Sequence, residues 1–175
     1  WKNVLALPLV GSANDISNQI NSGSTAKTVT ATNAVASSNA SNFYGGSFAF
    51  DGTGDYLTVT DNVDTRFGTG DFTVEYWIYY NSISGNPTPF DKGYTGSGLS
   101  ANGWIIQNAA AIWYGGGSAK VTSPYTDVTG KWYHYAFVRN SGTLTMYRDG
   151  VSVISGSDST DYTYAVDLGI GANIR

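Results

Sequence analysis

The sequence predicts an all-β protein, an antiparallel two-sheet β-sandwich of the jelly-roll kind. Three observations carry that prediction. Aromatic residues make up 14% of the chain against 13% charged, and 22 glycines punctuate it, which is the composition of strands broken by turns. Short apolar–polar alternations recur between turn signals along most of the 175 residues, the period of half-buried strands. No amphipathic helix of useful length can be traced, so helix should fall below about one tenth of the chain, well under the usual third.

Taken in order, residues 4–10 (VLALPLV) read as a short apolar strand, with Pro8 placing it at an edge or a bulge. Residues 11–41 are rich in Ser, Asn, Thr and Ala and read as surface loop, apart from the alternating TVTAT of 28–32, which should pair weakly. Residues 47–50 (SFAF) and 56–59 (YLTV) flank DGTGD at 51–55 as a hairpin-like unit. Residues 72–80 (FTVEYWIYY) form the most strongly β-forming run. Phe72, Val74, Tyr76, Ile78 and Tyr80 share one face, while Trp77 and Tyr79 make the other partly apolar, which predicts a central strand. Turn residues, including Pro87 and Pro89, then dominate up to residue 103, followed by strands at 104–107 (WIIQ) and 111–114 (AIWY) and another beginning at 120–122 (KVT).

The organising stretch is 130–153, GKWYHYAFVRNSGTLTMYRDGVSV. Residues 132–139 are aromatic and β-branched without a break, 140–142 (NSG) form a loop, 143–148 alternate, and Asp149-Gly150 supplies a two-residue turn back. A β-meander is the reading. Residues 162–170 add one more alternating run.

Composition also excludes functions. The net charge is −4, with nine Lys and Arg scattered along the chain, so a nucleic-acid surface is not expected. There is no cysteine, hence neither a disulfide frame nor a thiolate metal site. No apolar run reaches the ~20 residues of a membrane-spanning helix, and no signal peptide opens the sequence.

The runs SFAFDGTGDYLTV, GDFTVEYWIYY, GKWYHYAFVRNSGTLTMYRDGVSV and LGIGANIR, in that order, together with Asn14-Asp15 and the FYGG of 43–46, resemble the laminin-G-like jelly rolls of the concanavalin A-like lectin/glucanase superfamily. The phrasing is most similar to copies in bacteriophage structural proteins and large bacterial surface proteins. The resemblance implies a single laminin-G-like domain over 1–175 and an extracellular or virion-surface location. It also implies a further closing strand after the LGIG run. Its absence here leads us to expect a piece of a longer protein, or completion by a neighbouring copy across an open edge.

Glucanases share this fold, and retaining ones need two carboxyls ~5 Å apart. Their E-x-D-x-E run has its nearest match in Asp71-Phe72-Thr73-Val74-Glu75, with a shorter first acid and a threonine in the middle. Glu75 is the one glutamate and His134 the one histidine, so neither a carboxylate dyad at the required geometry nor a Ser-His-Asp or multi-histidine site is expected. Asp71 reads as a turn residue and His134 as a hydrogen-bonded core histidine. No catalytic residue is assigned.

Laminin-G-like domains often hold one calcium ion at a sheet rim. Asp51 and Asp55 offer two carboxylates on a glycine-flexed turn, a start toward the six to eight oxygens the ion takes. The alternative is a tight turn without metal, since Asp-Gly is itself a turn pair. For sugar binding, exposed aromatic faces beside polar groups are required. Trp104, Trp113, Tyr114, Tyr94 and Tyr125 lie near glycine-rich loops and are the candidates, whereas Trp77, Trp132 and at least one of Trp104 and Trp113 are expected in the core. Two functions remain. One is a non-catalytic carbohydrate-binding or adhesion module that contacts a glycan or cell-surface polysaccharide. The other is a structural decoration or assembly domain of a bacteriophage particle or surface filament, whose partners are neighbouring protein chains.

Overall fold

The structure, a computed structural model, describes residues 2–172 and 174. Its regular elements are thirteen strands and two 3-10 turns, Ser17–Gln19 and Val63–Thr65. The strands are β1 (Val29–Thr32), β2 (Val35–Ser37), β3 (Ser47–Ala49), β4 (Tyr56–Val59), β5 (Phe72–Tyr79), β6 (Phe90–Tyr94) and β7 (Leu99–Gln107). They continue with β8 (Ile112–Gly115), β9 (Ser118–Thr122), β10 (Trp132–Asn140), β11 (Thr143–Arg148), β12 (Val151–Ser157) and β13 (Leu168–Ile170). Seven strands form one sheet in the order β1-β4-β13-β6-β7-β8-β9, four form the other in the order β12-β11-β10-β5, and β2 and β3 pair as a separate hairpin. Strand pairing is antiparallel throughout. The all-β sandwich expected from composition is what forms.

The meander is built on two matching turns. Ser141-Gly142 joins β10 to β11 and Asp149-Gly150 joins β11 to β12, and all four residues have positive φ, between 50° and 80°. That is the turn geometry whose twist suits a hairpin, and it explains the Gly at each second position. Between the sheets, Tyr133, Tyr135 and Phe137 of β10 and Leu144 and Met146 of β11 meet Leu57, Val59, Trp104, Ile106, Trp113, Val121, Leu168 and Ile170 of the larger sheet. Trp104 and Trp113 stack at 4.8 Å with planes 7° apart, adding about 0.5–1.5 kcal/mol to the area they bury.

Five expectations are corrected. Residues 4–10 form no strand. Leu5, Leu7 and Leu9 do pack on the core, but Pro8 has no amide to donate and Leu9 turns the chain at φ 54°. Residues 47–50 and 56–59 are not two arms of one hairpin, since β3 pairs with β2 and β4 with β1 and β13. β5 is an edge strand rather than a central one, and its Val74, Tyr76 and Ile78 are only partly buried as a result. Of residues 162–170, only 168–170 form a strand, while Tyr162 makes an isolated bridge to Gly68. Finally, β13 lies between β4 and β6, so no open edge follows the LGIG run. Asn173 and Arg175, at the end of that run, lie outside the described residues.

Candidate functional site

The side chains most suited to binding lie on the outer face of the four-stranded sheet. The register of β10 on β5 sets Trp132 opposite Tyr79, His134 opposite Trp77, Ala136 opposite Glu75 and Val138 opposite Thr73. Because side chains alternate across a strand, these pairs share one face while Tyr133, Tyr135 and Phe137 fill the core behind them. The result is a patch of rings: Trp77 against His134 at 4.9 Å and Tyr79 against Trp132 at 5.5 Å. Trp77 is 44% exposed. Glu75 sits beside the patch with its carboxylate 3.6 Å from the His134 Nε2, an ion pair when the imidazole is protonated. Further across, Tyr147, Thr145 and Ser155 carry hydroxyls over the same face, with Thr145 and Ser155 hydrogen-bonded at 2.9 Å.

The patch continues past the sheet. The tip of the β2–β3 hairpin places Phe43 edge-on against Trp77, ring centroids 5.2 Å apart. Tyr44 follows 6.2 Å from Phe43. Both are exposed, Phe43 at 51% and Tyr44 at 89%. An aromatic ring held open to water is what stacking on a sugar face requires.

The candidates chosen from sequence are dispersed. Trp104 and Trp113 are buried in the core, at 2% and 0% exposure, and are not available to a ligand. Tyr94 and Tyr114 are half-buried on β6 and β8 of the larger sheet. Tyr125 is exposed on the loop leading into β10, under the Arg148 guanidinium at 5.6 Å. Trp77 and Trp132, expected inside, are the residues on the outer face. His134 is likewise a face residue rather than a core one, its side chain 23% exposed.

Asp71 and Glu75 have separate neighbours. The Asp71 carboxylate accepts from the Ser141 amide at 2.8 Å, and Glu75 lies against His134. At the 51–55 turn, Asp55 accepts from the Asp51 amide at 2.8 Å and Asp51 from the Thr53 amide at 2.6 Å. The turn therefore uses one oxygen of each carboxylate. Among the described residues no three acidic or histidine side chains converge as a metal cage. A calcium ion there would take most of its oxygens from backbone carbonyls and water.

Buried polar groups anchor both ends of β10 and the N-terminal segment. Arg139, fully buried, donates from Nε to Gly70 O at 2.8 Å and from Nη1 to Thr160 O at 2.8 Å and Asp158 at 3.3 Å. Its Nη2 donates to the carbonyls of Gly68 and Gly70, each at 2.6 Å. Its plane lies 4.8 Å from Phe72 and 5.0 Å from Tyr162. At the other end of β10, Asp127 accepts from the Tyr135 hydroxyl at 2.9 Å and from Arg148 at 2.6 Å. Burial pushes the Asp127 carboxyl up despite those partners, and burial beside that carboxylate pushes the Tyr135 phenol far above its ordinary value. In the N-terminal segment, Asp15 accepts from the amides of Ala6, Ser17 and Lys27 and from the Ser17 hydroxyl. Burial opposes its charge, but these bonds together leave its carboxyl below the usual range.

Residues 51–174 match the laminin-G-type family described as the concanavalin A-like lectin/glucanases superfamily. Among solved structures, domain 4 of AbnA, an extracellular GH43 arabinanase of Geobacillus stearothermophilus determined with arabinotriose, superposes with a TM-score of 0.59. It is 17% identical over 85% of this chain and 74% of that one. The binding domain of botulinum neurotoxin DC in complex with SialylT gives 0.63 at 15% identity, over 93% of this chain and 40% of the toxin chain. This chain thus spans well under half of the toxin domain's length, and at these identities the likeness is one of fold. No curated protein matches the sequence significantly.

Proposed function

As the chain belongs to the laminin-G-type family of the concanavalin A-like lectin/glucanases superfamily, we propose that it is a non-catalytic carbohydrate-binding module of an extracellular, cell-surface or virion protein. The observation that carries this reading is the outer-face ring patch of half-buried His134, Tyr79 and Trp132 around the exposed Trp77, with Glu75 beside it. A pyranose or furanose ring presents C–H groups on one face and hydroxyls at its rim. The rings take the first, while Glu75, His134 and the Tyr147, Thr145 and Ser155 hydroxyls take the second. Two fold relatives were solved with glycans, which agrees with the reading. The engagement of Asp71 and Glu75 by other partners supports binding without hydrolysis. A glycan array probed with the protein and with Trp77→Ala tests it: specific hits lost in the variant are expected, and hits retained in full would refute this site.

A second reading, a structural assembly module, is favoured by one feature. The eight-residue β5 ends its sheet with no strand bonded beyond it among the described residues, and an edge of that length can accept a strand from a neighbouring chain. Silence on the array together with ordered self-association would favour it. Calcium at the 51–55 turn is likewise a proposal, addressed by the titration described below.

A further inference from the structure

We infer that the face reads the interior of a linear, uncharged glycan rather than a terminal or acidic sugar, and that Tyr44 sets this preference. The inference rests on the glycan-binding reading and adds chain length and charge to it.

The geometry is a strip, not a pocket. His134, Trp77, Phe43 and Tyr44 follow one another with centroid separations of 4.9, 5.2 and 6.2 Å. The strip crosses from β10 over β5 and leaves the sheet at the hairpin tip. Four rings in sequence, ending on the exposed Phe43 and Tyr44, suit several sugar units in line. Tyr44 terminates it in an unusual way. Its backbone is left-handed, φ 56°, and Gly45 behind it is too, φ 73°. A tyrosine in that region is disfavoured, and here it carries the ring outward to near-complete exposure. The loop is held by the Ser47 hydroxyl on Ala40 O at 2.6 Å and the Ser41 hydroxyl on Phe43 O at 3.1 Å.

Charge decides the ligand class. The outward positions of β5, β10 and β11 hold Thr73, Glu75, Trp77, Tyr79, Trp132, His134, Ala136, Val138, Asn140, Thr143, Thr145 and Tyr147. None is Lys or Arg. The nearby cations face elsewhere, Arg139 into the core and both Lys131 and Arg148 over Tyr133. A uronate or sialyl carboxylate would meet the exposed Glu75, whose side chain is 67% accessible, with no guanidinium to pair it.

The test is calorimetry with neutral linear oligosaccharides of one to six units, in hexopyranose and pentofuranose series, and with an oligouronate series of equal lengths. For the intact protein, affinity should climb with length, roughly two- to tenfold for each unit that gains a ring contact, and oligouronates should bind at least about tenfold more weakly. Tyr44→Ala should remove the last step of that climb, while Glu75→Gln should narrow the gap to the uronates. A monosaccharide binding as tightly as the hexamer, a Tyr44→Ala variant with an unaltered length profile, or uronates binding equally well would overturn the inference. If Trp77→Ala still abolishes binding in those cases, the glycan-binding reading stands and only its refinement falls. If no ligand binds, or Trp77→Ala changes nothing, both fall.

Discussion

Replacing Arg139 by methionine should be among the most damaging single changes available to this fold. The side chain is fully buried, and its guanidinium serves three backbone carbonyls, of Gly68, Gly70 and Thr160, and the Asp158 carboxylate. Methionine keeps the stem and the contact with Phe72 and Tyr162 but supplies no donor. Asp158, itself buried, would keep the Tyr162 hydroxyl at 3.0 Å and the Thr160 amide at 3.1 Å yet lose its cation. Breaking a buried ion pair from one side costs about 3–5 kcal/mol, and stranded carbonyls act in the same direction. For a chain of this size the melting temperature should fall by roughly 6–20 °C. Urea denaturation followed by tryptophan fluorescence measures the loss, with Asp158→Asn and the double variant completing a cycle. The expected coupling between the two sites is roughly 1–3 kcal/mol. A loss for Arg139→Met under about 1 kcal/mol, or additive effects of the two changes, would refute the reasoning.

Other outcomes follow from the same structure. Asp15 has a lowered pKa in the fold, so its contribution is present at neutral pH and lost as pH drops below about 4, through the folded value. Asp15→Asn should therefore be less stable at pH 7 and show a flatter loss of stability in acid. Asp127 works in the opposite sense, its raised pKa favouring protonation in the fold, so Asp127→Asn should not flatten the acid limb. Trp113→Ala should cost about 3–5 kcal/mol as a core cavity, whereas Trp77→Ala, at an exposed site, should cost much less by the same melting assay. Calcium titration of the chelated protein should leave the melting temperature unchanged if the 51–55 turn stands on its own hydrogen bonds. A rise that disappears in Asp51→Asn would place an ion there.

The sandwich was legible because its signals are local. Alternation at 132–139 and 143–148 and the Ser141-Gly142 and Asp149-Gly150 turns each fix a piece of the meander without reference to anything distant. What alternation cannot say is which face looks inward when both are apolar. In WYHYAFVR, Trp132, His134, Ala136 and Val138 alternate with Tyr133, Tyr135, Phe137 and Arg139, and by hydropathy the set containing Arg139 is the better surface candidate. The structure buries that set. Arg139 is tolerated inside because it sits where the 66–71 turn and the 158–163 segment bring carbonyls and Asp158 to it, residues about 70 and 20 positions away in sequence. One signal for Trp77 was present: Glu75 and Thr73 lie on its side of β5, and Phe72, Val74, Tyr76 and Ile78 on the other. The place of β13 between β4 and β6 joins segments too far apart for any local pattern to reveal.

The division of aromatic residues between the two faces of one sheet bears on how a binding surface stays ordered. Trp77 and Trp132 have backbones fixed by the β5–β10 ladder, and the rings directly behind that ladder are packed: Tyr76 stacks on Tyr135 at 5.7 Å, and Tyr135 on Phe137 at 6.4 Å. The two ends of β10 are pinned by charge, Arg139 at one and the Asp127–Tyr135–Arg148 group at the other. A ligand lying across His134 and Trp77 thus meets side chains whose main chain is already in place, and little ordering has to accompany binding there. The hairpin tip differs. Phe43 and Tyr44 are tied to the platform by one edge-on ring contact and local loop bonds. Under the proposed glycan-binding role, adjustment to different ligands is therefore expected at that tip, with the sheet face as the fixed reference against which it moves.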